Sequence, residues 1–180
     1  EKVGADKVLP EPLMELAAFE RQLLMDGRPS FEQLAERAGC SLQGFVDLDN
    51  KVNTPEGIAR IAATEPELLI SVRFGLIIRE AVIALPNQGI INLHSGLLPN
   101  YRGAAPIHWA IINGEQETGV TTFFLQHEID TGDLLFQEKE SISEHDTTGE
   151  LYDRLMKKGA KLVVKTTQAI IDGAIHPQAQ

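Results

Sequence analysis

An α/β fold class with a mostly parallel sheet is the architecture this sequence predicts, on three observations. Leu68-Leu69-Ile70-Ser71-Val72 and Gly89-Ile90-Ile91-Asn92-Leu93-His94 are nearly continuous apolar runs, the pattern of strands buried on both faces. Each follows a segment with helix signals, Thr54-Pro55 to Ala63 before the first and Gly75 to Leu85 before the second. Helix followed by buried strand, twice in succession, is how a parallel sheet is built. The length of 180 residues, 43% hydrophobic and 23% charged, fits one domain over residues 1–180 with a sizeable core.

Taken in order, residues 11–26 read as an amphipathic helix stopped by Gly27. Ser30-Phe31-Glu32-Gln33 is a capping-box signature for a second helix that ends near Gly39. Thr54 is an N-cap ahead of an N1 proline, Pro55, and starts a helix through Ala63. After the two strands and the helix between them, a Gly/Pro loop runs from Ser95 to Ala105, and Pro106 opens a short helix ending at Asn113-Gly114. Val120 to Leu125 and Leu134 to Gln137 are strands joined by a loop that carries Asp130. Thr147-Thr148-Gly149-Glu150 is a further capping box, opening a long helix to Asp172 with Gly173 as its stop. The beginning departs from the usual pattern. A parallel α/β domain normally opens with a strand and a glycine-rich turn, whereas Gly4 is followed by charge and Pro10. The opening βα unit is therefore read as missing or replaced.

Composition narrows the function classes. The net charge of −10 is shared evenly between residues 1–90 and 91–180, which argues against general polyanion binding. Lys157, Lys161 and Lys165, with Lys158 beside them, read as the solvated face of the last helix near Glu150 and Asp153. Apolar runs fall short of the roughly 20 residues that cross a bilayer, so no membrane partner is expected. Cys40 is the one cysteine, which excludes an internal disulfide framework and a cysteine zinc site and points to a reducing, cytoplasmic home. The chain opens with Glu1 and shows no signal peptide, so an upstream segment could have been removed. His108, His127, His145 and His176 lack the paired spacing of a metal site, and no metal is expected.

The chemistry concentrates around Asn92 and His94. Residues two apart on a strand share a face, so an amide and an imidazole stand side by side where the strand meets the loop. With a carboxylate from elsewhere, these groups suffice to stabilise an oxyanion and move a proton.

Asn92-x-His94 is followed by Leu97-Leu98-Pro99-x-Tyr101-Arg102-Gly103-Ala104-Ala105-Pro106-Ile107. Then come Gly114-Glu115-x-x-Thr118-Gly119-Val120-Thr121 and Ile129-Asp130-Thr131-Gly132-Asp133. This ordered set resembles the formyltetrahydrofolate-dependent formyltransferases, and within them the catalytic domain of the methionyl-tRNA formyltransferases. The likeness is strong from about Glu67 to Gln178 and faint before Asn53. It implies a Rossmann-like formyltransferase fold and a catalytic set of Asn92, His94 and Asp130. The implied reaction moves a formyl group from the co-substrate 10-formyltetrahydrofolate to a primary amine, that of methionyl-tRNA or a related acceptor. In that scheme Asp130 keeps His94 as imidazolium, since an adjacent carboxylate favours the charged form, and Asn92 and His94 donate to the developing oxyanion. The resemblance further implies that Gly75, Leu76, Ile77 and Ile78, with His127, Glu128 and Ile129, receive the pteridine. Tyr101 and Arg102 are assigned to the acceptor.

Two departures accompany the likeness. Gly96 stands where the family usually carries serine, which loosens the loop and removes a hydroxyl. A methionyl-tRNA formyltransferase would also continue past Gln180 into a tRNA-binding domain. The alternatives are a sugar-nucleotide N-formyltransferase, a folate-binding remnant without turnover, and a formyltetrahydrofolate hydrolase.

Overall fold

In the computed structural model, which describes residues 51–180, helix α1 (Pro55–Ala62) starts where Thr54 Oγ1 accepts the Gly57 N–H at 3.2 Å. The helices expected over 11–26 and from Ser30 to Gly39, the opening unit and Cys40 lie outside the described residues. After α1 come β1 (Leu69–Val72), α2 (Glu80–Ile83), β2 (Ile90–His94), α3 (Pro106–Ile112), β3 (Glu117–Phe124), β4 (Leu134–Ser141) and α4 (Thr148–Ile171).

The four strands form one sheet in the order β1-β2-β3-β4. Among the described strands the sheet is mixed rather than mostly parallel: β1 and β2 are parallel, while β2–β3 and β3–β4 are antiparallel. The connections account for this. A parallel neighbour needs a crossover that returns along the full strand length. The 7 residues of α3 rise only about 10 Å, so the chain re-enters the sheet at the end where β2 left it. β3 and β4 are joined by the single loop 125–133, which makes them a hairpin.

A second difference is the length of α2. A helix over Gly75 to Leu85 is expected, yet only Glu80–Ile83 forms. Asn53 explains the shortfall, because its Nδ2 donates to the Ile77 carbonyl at 2.7 Å and its Oδ1 accepts the Arg79 N–H at 2.8 Å. Those are backbone groups a longer helix would have used, so residues 74–79 stay irregular. β4 in turn runs past Gln137 to Ser141, alternating in exposure as a strand with one solvated face does.

The two faces of the sheet carry different cores. α4 opens on the expected capping box, Thr147 Oγ1 accepting from Glu150 N–H and the Glu150 carboxylate accepting from Thr147 N–H. Its Ala160, Val163 and Val164 pack with Ile91, and its Leu151, Leu155 and Leu162 pack with Val120 and Ile107. Leu155 and Leu162 are almost wholly buried, each contributing about 1.5–3 kcal/mol by transfer from water. Gly159 lets α4 come close: a Cβ there would stand 2.6 Å from Leu93 Cδ2. Val52, Ile61 and Val82 cover the opposite face at Ile90. Side chains alternate along a strand, so Ile91 and Leu93 face α4 while Ile90, Asn92 and His94 face the other way.

Candidate active site

β2 carries Asn92 between Ser71 of β1 and Phe123 of β3, and carries His94 beside Thr121 of β3, which in turn faces Gln137 of β4. His94 is buried and Asn92 half-buried. The Asn92 side-chain amide has no hydrogen-bond partner among the described residues.

Asp130 reaches this face from the β3–β4 loop. Phe124 N–H donates to the Asp133 carbonyl at 2.9 Å, closing the base of the loop. Gly132 is required there, because a Cβ would collide with the Phe124 carbonyl. Asp130 itself adopts φ 54°, the left-handed region that a non-glycine residue holds only when its surroundings fix it. Its Oδ2 lies 3.4 Å from His94 Nδ1 and accepts the Gly103 N–H at 2.8 Å. The other ring nitrogen, His94 Nε2, is 2.9 Å from the Tyr101 carbonyl.

The imidazole thus stands between two acceptors. A neutral ring has one N–H and can satisfy only one of them; an imidazolium satisfies both. Burial nevertheless pushes the His94 pKa below its usual 6.5, and the Asp130 charge and the Tyr101 carbonyl, which act upward, do not overcome it. The expectation that Asp130 keeps His94 as imidazolium is corrected accordingly: the resting ring is neutral near pH 7, because desolvation outweighs a carboxylate that is in contact but not hydrogen-bonded. Such a ring can take up a proton when charge moves in the site.

The loop 95–105 is fixed from below by Thr121. Its Oγ1 donates to the Gly96 carbonyl at 2.6 Å, accepts the Leu98 N–H at 3.2 Å and accepts from Gln137 Nε2 at 3.0 Å. Gln137 Nε2 also donates to the Leu98 carbonyl at 2.8 Å, and the Leu98–Pro99 peptide is cis. Gly96 is therefore anchored rather than loosened, and a Cβ there would stand 3.1 Å from His94 Nε2.

The comparisons with known proteins bear on this geometry. The family model described as formyl transferase matches residues 21–167. The chain belongs to the formyl transferase family. The match begins well before Asn53, in the stretch where the motif likeness is faint. The methionyl-tRNA formyltransferase of Azobacteroides pseudotrichonymphae genomovar. CFP2 is 52% identical over 125 residues, 69% of this chain and 38% of that protein. That of Trichlorobacter lovleyi is 41% identical over 152 residues, 84% of this chain and 47% of the relative. The chain therefore spans less than half the length of these curated relatives. Among solved structures, a sugar N-formyltransferase from Shewanella sp FDAARGOS_354 superposes with TM-score 0.71 at 20% identity, covering 92% of this chain and 69% of that one. The formyltransferase PseJ from Anoxybacillus kamchatkensis, in complex with UDP-4,6-dideoxy-4-formamido-L-AltNAc and tetrahydrofolate, gives TM-score 0.62 at 25% identity, covering 84% and 78%. The Rossmann-like α/β fold is thus shared with formyltransferases.

Within this member of the family the expected site residues fall into three groups. Asn92, His94 and Asp130 converge. Gly75, Leu76 and Ile77 lie exposed in the irregular segment after β1, and His127, Glu128 and Ile129 are exposed in the loop that carries Asp130. Ile78 differs: it packs against the Val52, Ile61, Val82 and Ile90 cluster, because Asn53 draws its neighbours Ile77 and Arg79 inward. The third group is Tyr101 and Arg102. The Tyr101 hydroxyl donates to Glu115 at 2.5 Å and accepts from Asn113 at 3.0 Å, so its backbone carbonyl and not its phenol meets His94. The bond to the Glu115 carboxylate raises the Tyr101 pKa, and the bond from Asn113 acts against it without cancelling it. Arg102 turns toward Gln180 through Nε at 3.1 Å and Nη2 at 2.8 Å.

Several residues around the site were not singled out from sequence. Thr121 sits inside a quoted motif, and its pairing with His94 gives it its role only once strand register is known. Gln180 carries no local signal at all. Among the described residues no group of three or more His, Cys, Asp or Glu could hold a metal ion, and no helix is long and apolar enough to cross a membrane.

Proposed function

We propose that this formyl transferase moves a formyl group from 10-formyltetrahydrofolate to a primary amine, and that the amine is carried by methionyl-tRNA. The observation that carries the reading is the meeting of three separate segments at the end of β2: Asn92 and His94 on one strand face, with the Asp130 carboxylate 3.4 Å from the ring. The flanking surface suits a flat heterocycle. Phe74, Leu76, Ile77 and Ile129 are 42%, 37%, 62% and 57% exposed, apolar side chains left open on the segments that border the site. 10-Formyltetrahydrofolate supplies the formyl carbon and the N10 leaving group.

The residues divide the work. As the amine nitrogen bonds to the formyl carbon, negative charge grows on the formyl oxygen. The unpartnered Asn92 amide is the donor free to receive it. The amine gives up a proton as the carbon–N10 bond breaks, and N10 gains one, so the exchange balances. Asp130 Oδ1 has no protein donor among the described residues and takes up the released proton, which passes to His94 Nδ1 and from there to N10 as the carbon–N10 bond breaks. His94 is cationic only in between, with two acceptors already in place, and both side chains end as they began.

Relatives named methionyl-tRNA formyltransferase at 41–52% identity support the acceptor assignment. The sugar nucleotide held by PseJ favours a second reading, an amino sugar on a nucleotide. We further assign residues 1–180 to one catalytic domain and, from its single cysteine, place it in the cytoplasm.

The deciding experiment follows tetrahydrofolate release by the full-length protein. Release that requires methionyl-tRNA supports the proposal, and release that requires an amino-sugar nucleotide replaces the acceptor. Release without any amine makes the protein a hydrolase. No release under any condition makes it a folate-binding remnant and overturns the reading.

A further inference from the structure

We propose that Gln180 is a positioning residue that clamps together the two loops bordering the site and so fixes Asp130 against His94. The proposal rests on the formyl-transfer reading of that site. The side-chain amide of Gln180 is used completely. Its Nε2 donates to the Asp130 carbonyl at 3.0 Å and to the Gly132 carbonyl at 2.6 Å, while its Oε1 accepts from Arg102 Nε and Nη2. One side chain therefore joins the loop that carries Asp130 to the loop that carries Tyr101, Arg102 and Gly103.

The segment that brings Gln180 there is itself tied down. Gln178 and Leu134 exchange two backbone hydrogen bonds, Leu134 N–H to Gln178 O at 2.7 Å and Gln178 N–H to Leu134 O at 2.9 Å. Gln180 lies two residues further on, above the loop that precedes β4.

Asp130 needs such support. Its left-handed backbone is held from the carboxylate side by the Gly103 N–H and from the carbonyl side by Gln180. Both holds pass through the 101–103 segment, the first directly and the second through Arg102. Among the described residues Asp130 is also the one charged side chain within ion-pair distance of His94, the ring's other close partner being the Tyr101 carbonyl. A shift of that loop therefore changes the charge His94 feels. Only a primary amide of this length offers two donors to the carbonyls and an acceptor to the guanidinium. Glutamate keeps the Arg102 pair but sets a carboxylate against two carbonyl oxygens.

The test uses Gln180→Ala, Gln180→Asn and Gln180→Glu in the full chain, with two readouts. Formyl-transfer kinetics are expected to show kcat reduced about tenfold, the scale of one or two lost hydrogen bonds, with KM for the folate changed less than about threefold. The His94 imidazole titration, followed by NMR, is expected to move down in the neutral variants Gln180→Ala and Gln180→Asn as Asp130 drifts from the ring. Gln180→Glu is expected to lose turnover although Arg102 stays paired. Wild-type kcat and His94 titration in the folded variants, with only a lowered Tm, would reduce Gln180 to a structural staple and overturn the proposal. So would a fully active Gln180→Glu, which would leave Arg102 pairing as its whole role. The NMR titration does not depend on substrate, so a wild-type protein without formyl transfer sinks the functional reading while the clamp is still decided.

Discussion

Two clusters in this molecule bring a basic side chain against a carboxylate, and they are built differently. In one, Arg154 donates from Nε to Glu140 at 2.8 Å, from Nη1 to Asp146 at 3.0 Å and from Nη2 to the Ser141 carbonyl at 3.1 Å, and Lys158 bonds Glu140 at 3.0 Å. Glu140, Asp146 and Arg154 each move toward the charged form. Hydrogen bonds from Arg154 and the Ser143 backbone lower Asp146, Asp146 and Glu140 raise Arg154, and Glu140 is lowered by Lys158 and Arg154 although burial works against it. In the other, burial drives His94 away from its charged form while Asp130 stands in contact but unbonded to the ring. A matched cluster joins β4 to α4 and has no proton to give. A mismatched one is poised to gain a proton, which is what chemistry needs.

The largest expected effect separates the two. His94→Gln or Asn92→Ala should reduce formyl transfer by about a hundredfold or more, with circular dichroism and Tm near wild type. Arg154→Met should do the reverse, leaving turnover within about threefold while lowering Tm by about 2–4 °C, since the Arg154 side chain is itself 37% exposed and its pairs are screened by salt. If Arg154→Met abolished transfer with Tm unchanged, the division between the clusters would fall. Asp130→Asn is expected to come next, with about a tenfold to hundredfold loss. It removes the charge that acts upward on His94, so the His94 titration should move further down, and an upward move would contradict the arrangement.

The pH dependence of stability should show each cluster in its own window. The native His94 binds its proton less readily than the unfolded chain, so its contribution is fully present above about pH 6.5 and is lost as pH falls from there through the native pKa. Glu140 and Asp146 hold depressed values, so their contribution is present above the ordinary carboxylate range and lost as pH falls through the native values below it. Denaturant midpoints measured from pH 8 to pH 3 should therefore lose the upper slope in His94→Gln and the lower one in Arg154→Met. Identical curves for all three proteins would show that neither cluster titrates on folding.

Much of this was legible in the sequence, and the gaps have physical reasons. Thr54-Pro55, Pro106 and the Thr147 capping box opened helices where expected, because caps are local signals. The β2 strand was readable from its apolar run, and Asn92 and His94 share a face because a strand repeats every two residues. The sheet's mixed direction was not readable, since it depends on how short α3 is relative to a full crossover. The shortened α2 was hidden for a similar reason: Asn53, far away in the chain, takes the backbone groups of Ile77 and Arg79. The protonation of His94 was misjudged because a neighbouring charge can be inferred from a motif, whereas burial cannot. Gln180 and Thr121 act through contacts that only tertiary structure creates.

The smallest effect expected concerns Gly96, and it bears on how closely the mismatched cluster is packed. Its carbonyl is held by Thr121, so the backbone cannot easily retreat. A Cβ at this position would stand 3.1 Å from His94 Nε2, 3.2 Å from Cδ2 and 3.3 Å from the Pro106 Cβ, each tighter than ordinary contact. In Gly96→Ala the ring must yield by a few tenths of an ångström, which disturbs the 2.9 Å contact of Nε2 with the Tyr101 carbonyl. That weakens the Nε2 bond, one of the two influences that raise His94, so the titration should fall slightly and kcat by about two- to fivefold. Tm should change little, because nothing in the α4 core is touched. A wild-type rate and titration in Gly96→Ala would mean that the ring has room on that side, and that its distance from Asp130 is set by the loops alone.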